Sequence, residues 1–492
     1  MKTWKKSLFA AGMIMAVSVS SLADQVRVLR KNEDALQARV DSILGATREI
    51  QAEYFSVWDD EQSVGGIALL LRAAQSGIDV KVIVDALSSK IPTALVAKML
   101  ELGKDKDGTQ RLQIKFYNPA RLGNLFQVGH RDHAKMLIVD EQRLIIGGRN
   151  VGDKYFGENK RRNFIDIDAM IQGGTAKLAK ENFLAVWNSQ LARAPELNRF
   201  SPEKIEESAC LLFRGRDNGD QCERERKQAI KELGRQESRI EEIIRKIMIE
   251  SKNYTAEAVS QRDWFAGARD YKIEFLSQRP EELISEKNNF MSDRLIEIAQ
   301  TAKKSINVAS PYLIPTEKSI KLYEYLLSTT NQDGSAKDPV SISIVTNSMA
   351  STDNLFAQAG FASSFKKMAS LGIEIHEFKG PDTEHGKAAV IDNQISLIGT
   401  FNLDPRSSRI NREVGVAIIG YADSDDDFTD NPVATALNQV IEDFKANSIL
   451  IAKDKTIQNQ EAHKELMKSV PRFNRMAMPF LRLLLPLYGH QI

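Results

Sequence analysis

The chain has 492 residues, 42% of them hydrophobic and 27% charged, a globular composition with room for two or three domains that excludes a disordered chain and a coiled-coil rod. Its 67 Lys and Arg against 66 Asp and Glu leave a formal charge of +1, so no overall basic field marks a nucleic-acid-binding protein. Two cysteines, Cys210 and Cys222, without a CxxC or a Cys/His cluster, give zinc or an iron–sulfur centre nothing to be built from, and no metal or other cofactor is expected.

The N-terminus opens with Lys2, Lys5 and Lys6, an apolar run from Leu8 to Val19, and Ser21-Leu22-Ala23 before Asp24. This reads as a secretory signal over residues 1–23, cut after Ala23. The run is short for a membrane span, and an uncleaved anchor is the alternative. Outside the cytoplasm, Cys210 and Cys222 would be a disulfide candidate closing a small loop, with two free thiols as the other possibility.

Residues 24–200 form the first of two similar units. Apolar β runs at Ile50–Val57, Val80–Asp85 and Leu112–Tyr117 alternate with helix-period stretches and lead to His133-Ala134-Lys135-Met136-Leu137-Ile138-Val139-Asp140. Residues 271–455 repeat the plan with Ile306–Ala309, Ile342–Thr346 and Ile373–Phe378, followed by His385-Gly386-Lys387-Ala388-Ala389-Val390-Ile391-Asp392. One offset relates both copies and also carries Gly147 to Gly399 and Asn150 to Asn402, so HxKx4Dx6GxxN occurs twice in register. Strands alternating with helices predict an α/β layered domain built twice.

Between the units, residues 201–270 change character. Glu223–Ser251 is densely charged, with Ile230, Leu233, Ile240, Ile243, Ile244 and Ile247 on one helical stripe. A solvated helical connector lying on the two units is expected; a lid or a partner-docking arm is the alternative. The C-terminal segment 456–492 ends, from Lys468 onward, in four basic side chains and no acid, interleaved with Phe, Met and Leu. That suits a membrane surface, or a helix packed on the core, and Pro471, Pro479 and Pro486 are expected to cut it too short to span a bilayer.

On a strand, the period of two places His133 and Lys135 on one face, about 6.6 Å apart along the chain. Asp140 falls on the other face roughly 23 Å away, so Asp140 and its counterpart Asp392 are assigned to a strand-end turn or a buried pair. A second apolar run, Leu144–Ile146, spells a hairpin. With a two-residue turn at 141–142, Lys135 would oppose Gly148 and His133 would oppose Asn150; the second copy would pair Lys387 with Thr400 and His385 with Asn402. Gly147 and Gly399 would then let backbone approach a ligand.

Imidazole transfers protons near neutrality and is a nucleophile when neutral, while Lys135, Lys387, Asn150 and Asn402 supply donors without negative charge. A phosphate diester satisfies such a set without a metal, one histidine attacking phosphorus and the other protonating the leaving oxygen. Each ring needs an orienting carboxylate. The candidates are Asp166 or Asp168, shortly after His133, and Glu413, shortly after His385.

The repeated motif, with HAKMLIVDEQRLIIGGRNVGDKYFG from His133 to Gly157 and GTFNLDPRSSRINRE from Gly399 to Glu413, resembles the phospholipase D superfamily, and within it the two-motif bacterial cardiolipin synthases. The resemblance covers most of Arg39–Ile419. It implies two duplicated α/β/α sandwich lobes related by a pseudo-twofold, with the active site between them, a phosphohistidine intermediate and no obligate metal. It also implies that His133 is the nucleophile, His385 the general acid and then base, Lys135, Lys387, Asn150 and Asn402 a phosphate clamp, and Asp166 and Glu413 the partners of the rings. The activity implied is phosphatidyl transfer, with cardiolipin synthesis from phosphatidylglycerol and a second phospholipid as the expected reaction; with the leader, this makes an exported enzyme, expected in the bacterial periplasm and peripheral on the membrane. Its partners would be the phospholipid substrate and the membrane, with no nucleic acid expected. Hydrolysis by water is the first alternative; a secreted nuclease and a non-catalytic lipid-binding scaffold are the others.

Overall fold

The structure is a computed structural model. It describes residues 24–120, 129–196, 238–250, 259–278, 290–421 and 431–488, save the single positions 261 and 332, with isolated residues at 227, 235 and 252. The leader and both cysteines lie outside the described residues.

The first lobe runs β1 (Asp24–Leu29), α1 (Asn32–Leu44), β2 (Glu49–Tyr54), α2 (Glu61–Gln75), β3 (Asp79–Asp85), α3 (Thr93–Leu102), β4 (Leu112–Tyr117), β5 (Lys135–Val139), β6 (Arg143–Gly147), β7 (Phe164–Ile165), β8 (Asp168–Gln172), α4 (Gly174–Asn188) and β9 (Ala192–Arg193). After a helix α5 at 238–250, the second lobe runs β10 (Asp270–Ser277), α6 (Phe290–Gln300), β11 (Ser305–Ala309), α7 (Glu317–Leu326), β12 (Ser341–Asn347), α8 (Leu355–Leu371), β13 (Glu374–Phe378), β14 (Thr383–Glu384), β15 (Ala388–Ile391), β16 (Ile395–Gly399), α9 (Pro405–Arg409), β17 (Val414–Tyr421), α10 (Pro432–Ala446) and β18 (Ser448–Lys453). Then come β19 (Thr456–Ile457), α11 (Gln460–Ser469) and α12 (Arg472–Tyr488).

Each lobe pairs its strands in the same order. In the first it is β4-β3-β2-β5-β6-β8-β1, in the second β13-β12-β11-β15-β16-β17-β10. The sheets join where β1 and β10 run antiparallel, Asp24 opposite Tyr271 and Gln25 opposite Asp270. The pseudo-twofold passes through that seam. Crossover helices create the parallel pairs β2–β3–β4 and β11–β12–β13, and helices cover both faces. Strands buried on both sides must be apolar throughout, which is why Met136–Val139 reads as an unbroken run. One hydrophobic core lies under α1–α3 and another under α6–α8, while a third, holding Phe183, Trp187, Leu437 and Phe444, is shared between the lobes beneath α4 and α10.

The hairpin register differs from the sequence expectation by one residue. Val139 opposes Arg143 and Ile391 opposes Ile395, so the loop has three residues and Lys135 and Lys387 face Gly147 and Gly399. The aspartate causes this: Asp140 (φ 55°) and Glu141 (φ 60°) take the left-handed conformation, as do Asp392 and Asn393. The Asp140 carboxylate accepts from the backbone N–H groups of Thr47, Arg48 and Glu49, and Asp392 repeats this with Lys303, Lys304 and Ser305. A side chain clamping the entry to β2 or β11 leaves its residue outside the ladder.

Gly147 and Gly399 are closely approached by neighbouring backbone. A Cβ on Gly147 would sit 2.4 Å from the Ile167 carbonyl oxygen, and one on Gly399 2.5 Å from that of Val414. Between β7 and β8 the strand is interrupted at Asp166-Ile167. This aims the two aspartates differently, Asp168 binding Arg39 and Arg149 at 2.9 and 3.1 Å.

Helix α5 buries Ile240 and Ile247 in the core under α1–α3 and ion-pairs Lys246 with Glu61 and Arg239 with Asp59. It therefore lies on the first lobe. At the C-terminus Pro471 separates α11 from α12 as expected, but α12 runs through Pro479 and Pro486 and packs on α8. Proline at 479 costs an intrahelical hydrogen bond without ending the helix. Among the described residues, no helix is long and apolar enough to cross a membrane.

Candidate active site

The two motif histidines meet at the lobe interface, each carried there by backbone pairing with the opposite lobe. The His133 N–H donates to the carbonyl of Arg412, and the His385 N–H to that of Ile165. Around them Asp132 bridges Arg412, and β14 runs parallel to β7. In both cases the accepting carbonyl belongs to the residue just before the acid.

The acids consequently serve the other lobe's ring. His133 Nδ1 lies 2.9 Å from Glu413 Oε2, and His385 Nδ1 lies 2.5 Å from Asp166 Oδ2. The sequence pairing of each acid with the histidine of its own repeat is thereby corrected. Asp168 does not reach a histidine; it is consumed by its arginines. Glu413 is held further by Thr400 Oγ1 at 2.5 Å, Ser407 Oγ at 2.7 Å and Asn411 Nδ2 at 3.4 Å. Asp166 turns its Oδ1 onto the Ile167 N–H. Where the acids interlock with the other lobe, Arg412 is buried between Glu53 and Asp132, at 2.8 Å from each.

Aromatic rings fix the imidazole planes. His385 stacks on Phe164 with centroids 4.8 Å apart and meets the edge of Tyr155, while His133 meets Phe55 edge-on at 4.8 Å. Lys135 Nζ donates to the His133 carbonyl at 2.7 Å, and Lys387 Nζ to the His385 carbonyl at 2.5 Å. Asn150 accepts from the Ser56 N–H and donates to the Tyr155 hydroxyl. Asn402 is equally buried, and its Oδ1 has no partner among the described residues. Ser407, Phe55, Tyr155 and Phe164 were not assigned to the site from the sequence, and Thr400 entered only as a hairpin partner of Lys387. Ser407 and Tyr155 lay inside the stretches already singled out and Phe55 inside the apolar run Ile50–Val57, but their contacts with the rings leave no spacing signal.

Burial controls the electrostatics. It pushes the His133 pKa down to about 4 against the raising effect of Glu413, and it lowers His385, helped by Lys387 and opposed by Asp166. Lys135 falls to about 7 by burial, and Lys387 falls for the same reason. Burial opposes ionisation of Asp166, but His385 and Lys387 hold it at about 2; Glu413 is likewise held low, chiefly by His133. The resting rings are therefore neutral. With Nδ1–H donated to a carboxylate, Nε2 of each keeps its lone pair. Two such rings, two buried ammonium groups and two amides can grip and cleave an anionic phosphodiester. Among the described residues, no group of three or more His, Cys, Asp or Glu side chains is arranged to hold a metal ion.

Comparison with known proteins agrees with this geometry. The family described as "Cardiolipin synthase, PLD-like domain" matches residues 40–187 and 295–429, more than half of the chain. Cardiolipin synthase C of Escherichia coli is 26% identical over 423 residues, covering 79% of this chain and 80% of that protein. A cardiolipin synthase of Geobacillus thermodenitrificans is 24% identical over 428 residues, with 86% of this chain and 67% of that protein covered. The crystal structure of phosphatidylserine synthase from Haemophilus influenzae superposes over 95% of both chains with a TM-score of 0.58 at 14% identity, a likeness of fold. The chain is an enzyme of the phospholipase D superfamily and belongs to the cardiolipin synthase, PLD-like domain family.

Proposed function

We propose that the protein is a phosphatidyltransferase that moves a phosphatidyl group from one phospholipid to an alcohol, with the headgroup glycerol of phosphatidylglycerol as acceptor and cardiolipin as product. The observation that carries this reading is the crossed pair of buried histidine–carboxylate couples, each beside a buried lysine. His133 Nε2 attacks phosphorus as the bond to the departing alcohol oxygen breaks, and His385 Nε2–H protonates that oxygen. The phosphatidyl group then sits on His133. The acceptor oxygen attacks phosphorus, His385 takes its proton, and the N–P bond breaks. Neutral His133 suits the attack, and the charge of a bound phosphate raises the pKa of His385 toward the protonated form an acid requires. Lys135, Lys387, Asn150 and Asn402 hold the non-bridging oxygens.

The proposal includes export and work at a membrane surface. It is supported by the leader at 1–23 and by α12, which turns Phe473, Met476, Phe480 and Leu483 to solvent on one stripe.

Purified protein incubated with phosphatidylglycerol liposomes, and separately with plasmid DNA, tests the reading. Cardiolipin and glycerol are expected, with His133→Ala and His385→Ala each lowering turnover about a thousandfold or more. Phosphatidic acid as sole product would convert the reading to hydrolysis, cut DNA would convert it to a nuclease, and no product would leave a binding scaffold.

A further inference from the structure

The two lobes share their strand order but not their filling beneath the first helix. In the first lobe, Arg39, Tyr54, Arg149 and Asp168 occupy the space between α1 and the sheet: Arg39 bonds Asp168 at 2.9 Å and the Tyr54 hydroxyl at 3.3 Å, and Arg149 bonds Asp168 at 3.1 Å. The strand pairing identifies the corresponding residues of the second lobe. Gly147 opposes Asp168 as Gly399 opposes Gly415, so Gly415 replaces Asp168, and Phe401, two residues after Gly399, replaces Arg149. Asp140 clamps Thr47 as Asp392 clamps Lys303, so Leu295 replaces Arg39 and Ser310 replaces Tyr54.

All four replacements line a cavity of about 150 Å³ that opens between α6, α7 and the sheet. Its walls are mainly Leu, Ile, Val, Ala and Met, and its lining includes Lys387. Along β15, Lys387, Ala389 and Ile391 share one face, so the cavity follows the strand for about 13 Å away from the catalytic lysine. An apolar cavity of about this volume accepts an apolar guest of about six carbons. A charged plug in one repeat and an apolar hole ending at an ammonium group in the other fit a chain with an anionic head.

We infer that the second lobe binds a stretch of about six carbons of one acyl chain of the phospholipid substrate in this cavity, with the phosphate at Lys387. The inference rests on the phospholipid reading above, but binding tests it apart from turnover. Dodecyl phosphate and methyl phosphate are titrated calorimetrically into wild-type protein, Ala389→Phe and Leu322→Trp, which narrow the cavity from two different walls. The wild type should bind dodecyl phosphate about tenfold or more tighter than methyl phosphate. Folded filled variants should lose most of that preference while keeping their affinity for methyl phosphate. Retention of the preference in either folded variant overturns the inference. A dodecyl phosphate carrying a diazirine at about the sixth carbon supplies a second readout in the wild type. Labelling within 290–300 or 317–326 supports the cavity; labelling confined to other segments overturns it even if both variants fail to fold. Absence of phosphatidyl transfer alongside chain-dependent binding in the cavity would remove only the proposed reaction.

Discussion

Asp166 and His385 belong to different repeats, yet their side chains meet at 2.5 Å because the His385 N–H bonds to the carbonyl of Ile165. The same relation, one residue before the acid, seats His133 against Glu413. Neither lobe alone pairs its imidazole with a carboxylate, so the two couples form only when both lobes dock.

In the proposed reaction, the crossing gives each carboxylate a separate step. Glu413→Gln withdraws support from the attacking ring, and Asp166→Asn from the proton-donating ring; each should cost about 10²–10⁴ in turnover. With a p-nitrophenyl leaving group, which needs no proton, Asp166→Asn should still form the phosphohistidine in rapid quench at near wild-type rate, and Glu413→Gln should not. The reverse pattern would exchange the two histidines' roles.

With the p-nitrophenyl substrate, whose leaving group needs no proton from His385, attack in the free enzyme requires neutral His133 and charged Lys135. With pKa values of about 4 and about 7, kcat/KM should fall as pH drops through the first, where the ring gains its proton, and as pH rises through the second, where the lysine loses its own. Arginine stays charged across this range. Lys135→Arg should therefore flatten the alkaline limb of the profile, whatever its effect on the maximum; an unchanged limb would assign that titration to another group.

Asp140 and Asp392 are predicted to hold the fold and leave the chemistry alone. Asp140→Ala leaves the N–H groups of Thr47, Arg48 and Glu49 without their acceptor, a loss of about 1–3 kcal/mol in urea unfolding. The folded fraction should keep kcat within about twofold of the wild type, because the residue lies at the far end of β5 from His133. A kcat reduced a hundredfold in folded protein would contradict this.

The exposed stripe of α12 should govern residence on lipid. Replacing Phe473, Met476, Phe480 and Leu483 by Ser should weaken cosedimentation with anionic liposomes and lower activity on them, while a short-chain soluble phosphodiester is still turned over. Arg472, Arg475 and Arg482 should add salt dependence at about 1 kcal/mol each. Equal loss of both activities would make α12 a packing element on α8.

The chemistry was legible in the linear chain because its carriers are local. His133 and Lys135 share a strand face through the period of two, an apolar run announces a strand buried on both sides, and an exact repeat announces two lobes. Even the exclusion of Asp140 from the reacting atoms follows from distance along a strand. The partner of each ring was not legible, since it depends on backbone bonds that join β7 to β14 and Asp132 to Arg412 across the interface. The hairpin register likewise depends on Asp140 reaching the start of β2, a segment about 90 residues earlier. Side-chain periodicity is a property of neighbouring residues; docking of one lobe on the other, which matched Asp166 to His385 and Glu413 to His133, is a property of surfaces brought together by the fold.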